Sequence, residues 1–340
     1  MKKLRIFLYS MIYVGVFTLP PMVFSNNQSS VTFNSTSNST TTSPSFVKQW
    51  VADGCGIAID SVGNVYVANS NGQVQKFTKD GVLIPSWTLV HYPKTTSQIF
   101  PNAVAVDSVG NVYVVERQSM FIDKFSKSGI FLCRWGGCGT GNGKFMEASG
   151  IAIDSIGNVY VTDKQSNFVQ KFTDTGTFVS KWGGFGIVAL NDAGSGKGKF
   201  QYPDGVAVDS DGNIYVADEL NGLIQKFDSK GDFLMNWKAS EIWDGTNPPM
   251  DSESGYTKGD VLGPSGVAVD SSNNVYVCIS EEYVGNKRIE KFTSDGSLIT
   301  QWGGTGNGNG KFSSLKGIAV DSTGNIYVAD RGNKLIQKFQ

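Results

Sequence analysis

An all-β fold, a six-bladed β-propeller of four-stranded blades, is predicted by three features of this 340-residue sequence. Asp-Ser-x-Gly/Asn-Asn-Val/Ile-Tyr-Val recurs six times, beginning at Asp60, Asp107, Asp154, Asp209, Asp270 and Asp321. Each copy lies in a unit of four short segments rich in β-branched and aromatic residues, a composition that suits strands. The last unit lacks its fourth segment, and the missing one stands at the opposite end of the chain, at residues 46–50.

Within a unit the order is constant. An apolar segment such as Gly56-Ile57-Ala58-Ile59 or Gly205-Val206-Ala207-Val208 precedes the motif. The motif supplies a tight turn and a second strand. A third strand ends in Phe77, Phe125, Phe172, Phe227, Phe292 or Phe339, and a fourth ends in Trp87, Trp135, Trp182, Trp237 or Trp302. No stretch between them has helical periodicity of useful length. Four-stranded antiparallel units repeated about an axis are propeller blades. Phe46-Val47-Lys48-Gln49-Trp50 matches Phe178-Val179-Ser180-Lys181-Trp182 almost letter for letter. The N-terminal strand is therefore expected to complete blade six, closing the ring and removing its open edges.

Tyr215-Val216-Ala217-Asp218, followed by Asn221 to Phe227 and then Phe233 to Trp237, resembles an NHL repeat, as do Tyr327 to Asp330 and Asn333 to Phe339. The resemblance covers residues 46–340 and implies a ligand-binding propeller, a group that includes protein and RNA binders. Two departures stand out. The basic residue usual before the third strand survives only as Arg288, its counterparts being Gln73, Phe121, Phe168, Leu223 and Leu335. Blade five has Ile279 where other blades have Asn69, Glu116, Asp163, Asp218 and Asp330.

Ahead of the propeller, Lys2, Lys3 and Arg5 precede an apolar run from Ile6 to about Phe24, interrupted by Pro20 and Pro21. Residues 1–25 read as a signal peptide cleaved before Asn26, with an uncleaved membrane anchor as the alternative. Residues 26–45 are Asn/Ser/Thr-rich, the composition of a solvated tether; Asn27, Asn34 and Asn38 begin sequons there. The expected location is outside the cytoplasmic membrane, extracellular or in the cell envelope. Charge is balanced, with 29 Lys and Arg against 30 Asp and Glu. Balance and export together disfavour a nucleic-acid partner. A monomeric propeller is expected, touching membrane only through an uncleaved leader.

Spacing singles out one face. Each repeat Asp lies 27 to 32 residues before its Trp, whereas 19 to 33 residues separate each Trp from the next repeat Asp. Connections between blades vary, and blade five's extra length falls in its second-to-third turn, Ser280 to Lys287, on the same side. Variable loops on a rigid scaffold carry recognition. The candidate face bears residues 88–102, 183–204, 238–265 and 280–287. Residues expected just before the first strands, Cys55, Asn102, Ser149, Asp204, Ser265 and Lys316, should ring the channel mouth. Asn102, Asp204, Lys316 and Trp243, an aromatic in the longest connection, are the ligand-binding candidates; a cap over its own loop is the plainer role for Trp243.

The leading expectation is a non-enzymatic domain that binds a protein, peptide or glycan, with no catalytic residue, metal or cofactor. Its rival is a metal-assisted hydrolase or lyase acting at the channel mouth. His91 is the only histidine, so the multi-His site of zinc-dependent amidating lyases cannot be assembled, and virginiamycin-lyase-like chemistry lacks its base. A carboxylate site combining Asp204 with Glu116, Asp163 or Asp218 would resemble the gluconolactonase type, although capping of neighbouring turns is the simpler role for those acids. The six repeat Asp residues and the strand-ending Trp residues read as construction: turn acceptors and packing between blades. Gly141–Phe145, Gly196–Phe200 and Gly308–Phe312 lack the strand-to-helix setting of a phosphate loop and read as flexible linkers anchored by Phe. Cys133 and Cys138 are spaced for a local bridge or for free thiols; Cys55 and Cys278 belong to blades that do not adjoin.

Overall fold

The computed structural model describes residues 42–69, 72–88, 100–187, 196–239, 263–281 and 286–340. The leader, most of the tether, His91 and Trp243 lie outside these. Among the described residues, 24 strands form six four-stranded antiparallel sheets. Five sheets take four consecutive strands each; the sixth places Phe46–Val51 beside Leu335–Phe339. Phe46 pairs with Phe339 and Trp50 with Ile336. Ser45 and Gln340 exchange backbone bonds of 2.8 and 3.0 Å beyond the last pair. The ring closes as the sequence predicts.

Each blade is built from one hydrogen-bond pattern. In the first-to-second turn, Asp60 Oδ1 accepts from the backbone N–H of Asn64 at 2.8 Å, and Oδ2 accepts from Asn64 Nδ2 at 2.8 Å and from the Tyr66 hydroxyl at 3.2 Å. The same set recurs at Asp107, Asp154, Asp209, Asp270 and Asp321. A carboxylate satisfied locally in this way is a turn-former. Burial and the adjacent Asp60 push the Tyr66 hydroxyl well above its usual range, so it remains a donor.

Second strands form the core; every residue of Val65–Asn69 and its five counterparts that is described is buried. Two ties hold adjacent blades together. Lys124 Nζ lies over the Tyr113 ring, 5.0 Å from its centroid, and donates to the Asp174 carbonyl of the next blade at 3.0 Å. Lys171, Lys226 and Lys338 reach Ser229, Ser294 and Lys79 in the same manner. Trp135 sits between Tyr113 of its own blade and Phe172 of the next, and Trp182, Trp237 and Trp302 repeat the arrangement. Trp50 does the same between Tyr327 of blade six and Phe77 of blade one.

The Gly-Lys-Phe connections depart from expectation. Phe145, Phe200 and Phe312 are fully buried, as anchors should be. The Gly-Lys pair before each Phe is tied down by hydrogen bonds, which a linker anchored by the ring alone would not show. Gln170 accepts from Gly143 N and donates to the Lys144 carbonyl, while Lys144 Nζ donates to the Gly136 carbonyl. Gln225 with Lys199, and Gln337 with Lys311, repeat these contacts. All four cysteines are free thiols, so Cys133 and Cys138 form no bridge.

Candidate binding face at the channel mouth

The six residues expected around the channel do ring it, together with the residues that follow them. Their position needs correction: each is the second residue of its first strand, not a residue before it. Pairing there is irregular in every blade. In blade four Pro203 pairs with Asp218 and Val206 with Val216, leaving Asp204 and Gly205 in a bulge. A bulge re-aims a side chain that regular pleating would place elsewhere, here toward the axis. The following glycine is needed because inner strands meet closely: a Cβ on Gly205 would lie 2.3 Å from the Ser265 carbonyl oxygen, and one on Gly317 would lie 2.5 Å from that of Cys55.

Asp204 is the centre of a buried charge cluster. Its carboxylate accepts from Ser149 Oγ on one side and pairs with Lys316 across the channel. Lys164, from the second-to-third turn of blade three, approaches it at 3.4 Å and also pairs with Glu219. Burial alone would raise the Asp204 pKa, but Lys316 and then Lys164 hold it well below the usual carboxylate range. Burial and the nearby Asp204 raise Glu219. Asp204 is thus a fixed anion, committed to two ammonium groups.

The acids that end second strands cap their surroundings. Asp163 accepts from Met146 N and Glu147 N at 3.0 Å each, tying the connection to its blade. Asp218 accepts from Gln201 N at 2.7 Å, and Asp330 from Ser314 N at 3.0 Å. Glu116 instead shares Arg134 with Asp123; burial, then repulsion from Asp123, pushes it up to about 7. Asp204, Glu116, Asp163 and Asp218 therefore do not form one carboxylate site. Among the described residues no group of three or more His, Cys, Asp or Glu is placed to hold a metal, so these residues do not fit a metal-assisted centre.

Beside the cluster lies a depression of about 550 Å³. Cys55, Asn102, Arg117, Met120, Glu147 and Gln165 line it, together with Arg331 of blade six. Arg117 pairs with Glu147 at 3.3 Å yet remains largely exposed. Of the four sequence candidates, Asn102, Asp204 and Lys316 share the ring, where Asn102 Nδ2 donates to the Ser149 carbonyl at 3.2 Å. Trp243 lies outside the described residues. Sequence reasoning missed Lys164, Glu219, Arg117 and Arg331. All occupy second-to-third turns at one repeat position, directly after the acid that ends the second strand (Glu116, Asp163, Asp218 and Asp330), and that periodic position is the signal that could have found them.

The NHL repeat profile matches residues 200–227 and 312–339, in blades four and six. Peptidylglycine alpha-amidating monooxygenase of Rattus norvegicus is 31% identical over 154 residues, 43% of this chain and 14% of that protein. NHL repeat-containing protein 3 of Homo sapiens is 33% identical over 76 residues, 22% of each. The match thus spans a small part of each relative's length. Among solved structures, a streptogramin B lyase superposes with a TM-score of 0.54 at 16% identity, covering 88% of this chain and 96% of that one. A virginiamycin B lyase from Staphylococcus aureus gives 0.52 at 16% identity, covering 86% and 87%. At such identity the likeness is one of fold.

Proposed function

Starting from an NHL-repeat chain folded as a six-bladed β-propeller, we propose a non-enzymatic binding domain that takes a protein, peptide or glycan ligand on the face carrying the channel mouth. One observation supports it above others: a depression of about 550 Å³ is rimmed by Arg117, Arg331, Gln165 and Met120, within the range of ligand-binding clefts, while the acid nearest the axis is tied up by two lysines. Exposed arginines and a methionine around a rigid concavity supply charge-assisted hydrogen bonds and adaptable apolar contact. Asn102 and Lys316 extend the surface toward the channel.

The named relatives include a monooxygenase and two lyases, so catalysis is the rival reading. It would need free acid or base groups converging on one point, and Asp204 is committed to Lys316 and Lys164. The test is a binding screen of the purified protein on peptide and glycan arrays, followed by Arg117→Glu and Arg331→Glu. Retained fold with binding reduced about tenfold or more, the effect of losing a contact worth some 1.4 kcal/mol, is the expected result. Turnover of a peptide, lactone or glycan by the parent protein, lost in Asp204→Asn, would replace this reading with the catalytic one.

A further inference from the structure

The depression beside the channel is both charged and apolar, and its charged groups are set by the backbone. Arg117 N donates to the Phe100 carbonyl at 3.0 Å and Arg331 N to the Ser314 carbonyl at 2.9 Å. Each second-to-third turn is thus pinned to the connection that enters its own blade. Both arginine side chains stay exposed. Arg117 uses one N–H on Glu147, at 3.3 Å, out of the five a guanidinium carries. Among the described residues that line the depression, this one acid stands against two arginines. Met120 supplies the apolar counterpart. It has φ +58°, at a repeat position that Gly72 and Gly222 fill in blades one and four and Asn167 in blade three, residues that take the left-handed region with less strain. Lys334 shares the position in blade six, where its ammonium pairs with Asp53 at 3.7 Å. Met120 is locked there: its N–H donates to the Glu116 carbonyl at 3.0 Å, and its carbonyl accepts from Gly137 N at 2.7 Å. Half-buried against the core of blades two and three, it also lines the depression, as do Met146 and Phe100. A strained backbone that keeps a large side chain at a cavity wall points to a use for that side chain.

Resting on the reading of this face as a binding surface, we infer that the depression takes a peptide segment in which an Asp or Glu side chain adjoins a large apolar one. The planar fork of an arginine matches a carboxylate with two parallel hydrogen bonds, and the positive excess in the depression favours such a group. The thioethers of Met120 and Met146 adapt to aliphatic or aromatic side chains of varied shape. Gln118 and Gln165, both exposed on the lining, carry carboxamides that donate to and accept from the main chain of an extended segment. Phe100, the one aromatic ring among the described lining residues, is half-buried and lacks the polar handle of Trp or Tyr. That favours a peptide over an acidic glycan.

The test screens the purified protein on an array of random octapeptides, acetylated and amidated so that no terminal charge is present, beside an array of acidic and neutral glycans. Bound peptides should be enriched in Asp or Glu next to Leu, Ile, Met or Phe. Exchanging that acid for its amide should weaken the best peptide about tenfold in fluorescence anisotropy, as loss of a charge-assisted contact does. Arg117→Gln together with Arg331→Gln should erase the difference between acid and amide peptides. Met120→Asn, which suits the left-handed region, should weaken both peptides several-fold and keep the difference. Circular-dichroism melts check that each variant folds as the parent does. Bound peptides without an acidic preference, or a preference that survives the double arginine variant, overturn the inference and leave the binding reading of this face in place. So does binding confined to the glycan array. Silence on both arrays overturns the wider reading along with it.

Discussion

Replacing Gly81 by Ala tests how blade six is joined to blade one. Gly81 has φ +78°, and a Cβ there would lie 2.7 Å from the indole of Trp50. Two costs are thus superposed. A left-handed conformation costs a non-glycine residue about 1–2 kcal/mol, and forcing a methyl into a packed ring costs about 1–3 kcal/mol more. Gly324 separates them, since it has φ +84° with nothing within 4 Å of an added Cβ. Gly324→Ala should therefore lose about 1–2 kcal/mol and Gly81→Ala about 2–5 kcal/mol, from a fold of roughly 5–15 kcal/mol. Trp50→Ala alone should cost about 3 kcal/mol or more, through lost contact with Phe77 and Tyr327. In that background Gly81→Ala keeps only its backbone cost, so the pair should couple by about 1 kcal/mol or more. Urea melts followed by far-ultraviolet circular dichroism give all four stabilities. Additivity within ~0.5 kcal/mol would mean that Trp50 does not pack on blade one, and the closure described above would be wrong.

Three further outcomes follow from the site. Gly205→Ala should lower stability by about 1–3 kcal/mol or more in the same melts, because the methyl meets the Ser265 carbonyl of the adjacent inner strand. Asp204→Asn, leaving Lys316 and Lys164 underpaired, should cost about 3–5 kcal/mol at pH 7. Asp204 titrates below its ordinary 3.8 in the folded state, so its contribution is present above that pH and lost on acidification; the gap between parent and variant should shrink below about pH 4. Glu116 behaves oppositely, since its folded pKa of about 7 exceeds the ordinary 4.5. Its contribution is present below pH 4.5 and lost as pH rises through 7, so Glu116→Gln should gain on the parent between pH 5 and pH 8, by no more than about 3 kcal/mol.

The architecture could be read from the sequence because each blade states it again. The Asp-Ser-x-Gly motif, the Phe and the Trp recur at nearly fixed spacing, and their contacts recur with them. The displaced strand at residues 46–50 was legible for the same reason, as a fourth strand without its blade. The channel ring was legible only as a set of names: Pro203 and Gly205 are residue types that suit a bulge, but the letters do not show that it turns Asp204 toward the channel. The pairing of Asp204 with Lys316 joins residues 112 apart; Lys164 and Glu219 share one repeat position, but their opposite charges there give no sign that they pair with each other. The bonded Gly-Lys-Phe connections were misread because the glutamines that hold them, Gln170, Gln225 and Gln337, sit in third strands, where the letter pattern gives them no partner.

Closure by a strand from the start of the ring also sets an order in time. Phe46–Val51 is the first strand of the propeller to be synthesised, and its partner Leu335–Phe339 is the last. Blades one to five can form as local hairpins while the chain is still growing. Blade six cannot, and the early strand must wait, with its edge unpaired, through the synthesis of some three hundred residues. Joining ends so far apart carries a loop-closure entropy that depends only weakly on length, but it comes as one step at the end. Until that step Trp50 has no Tyr327 to rest on, and both open flanks of the stack present strand edges to other chains. A newly made propeller of this design is most exposed to aggregation just before it is complete, and a helper that shields residues 46–51 would act in that interval.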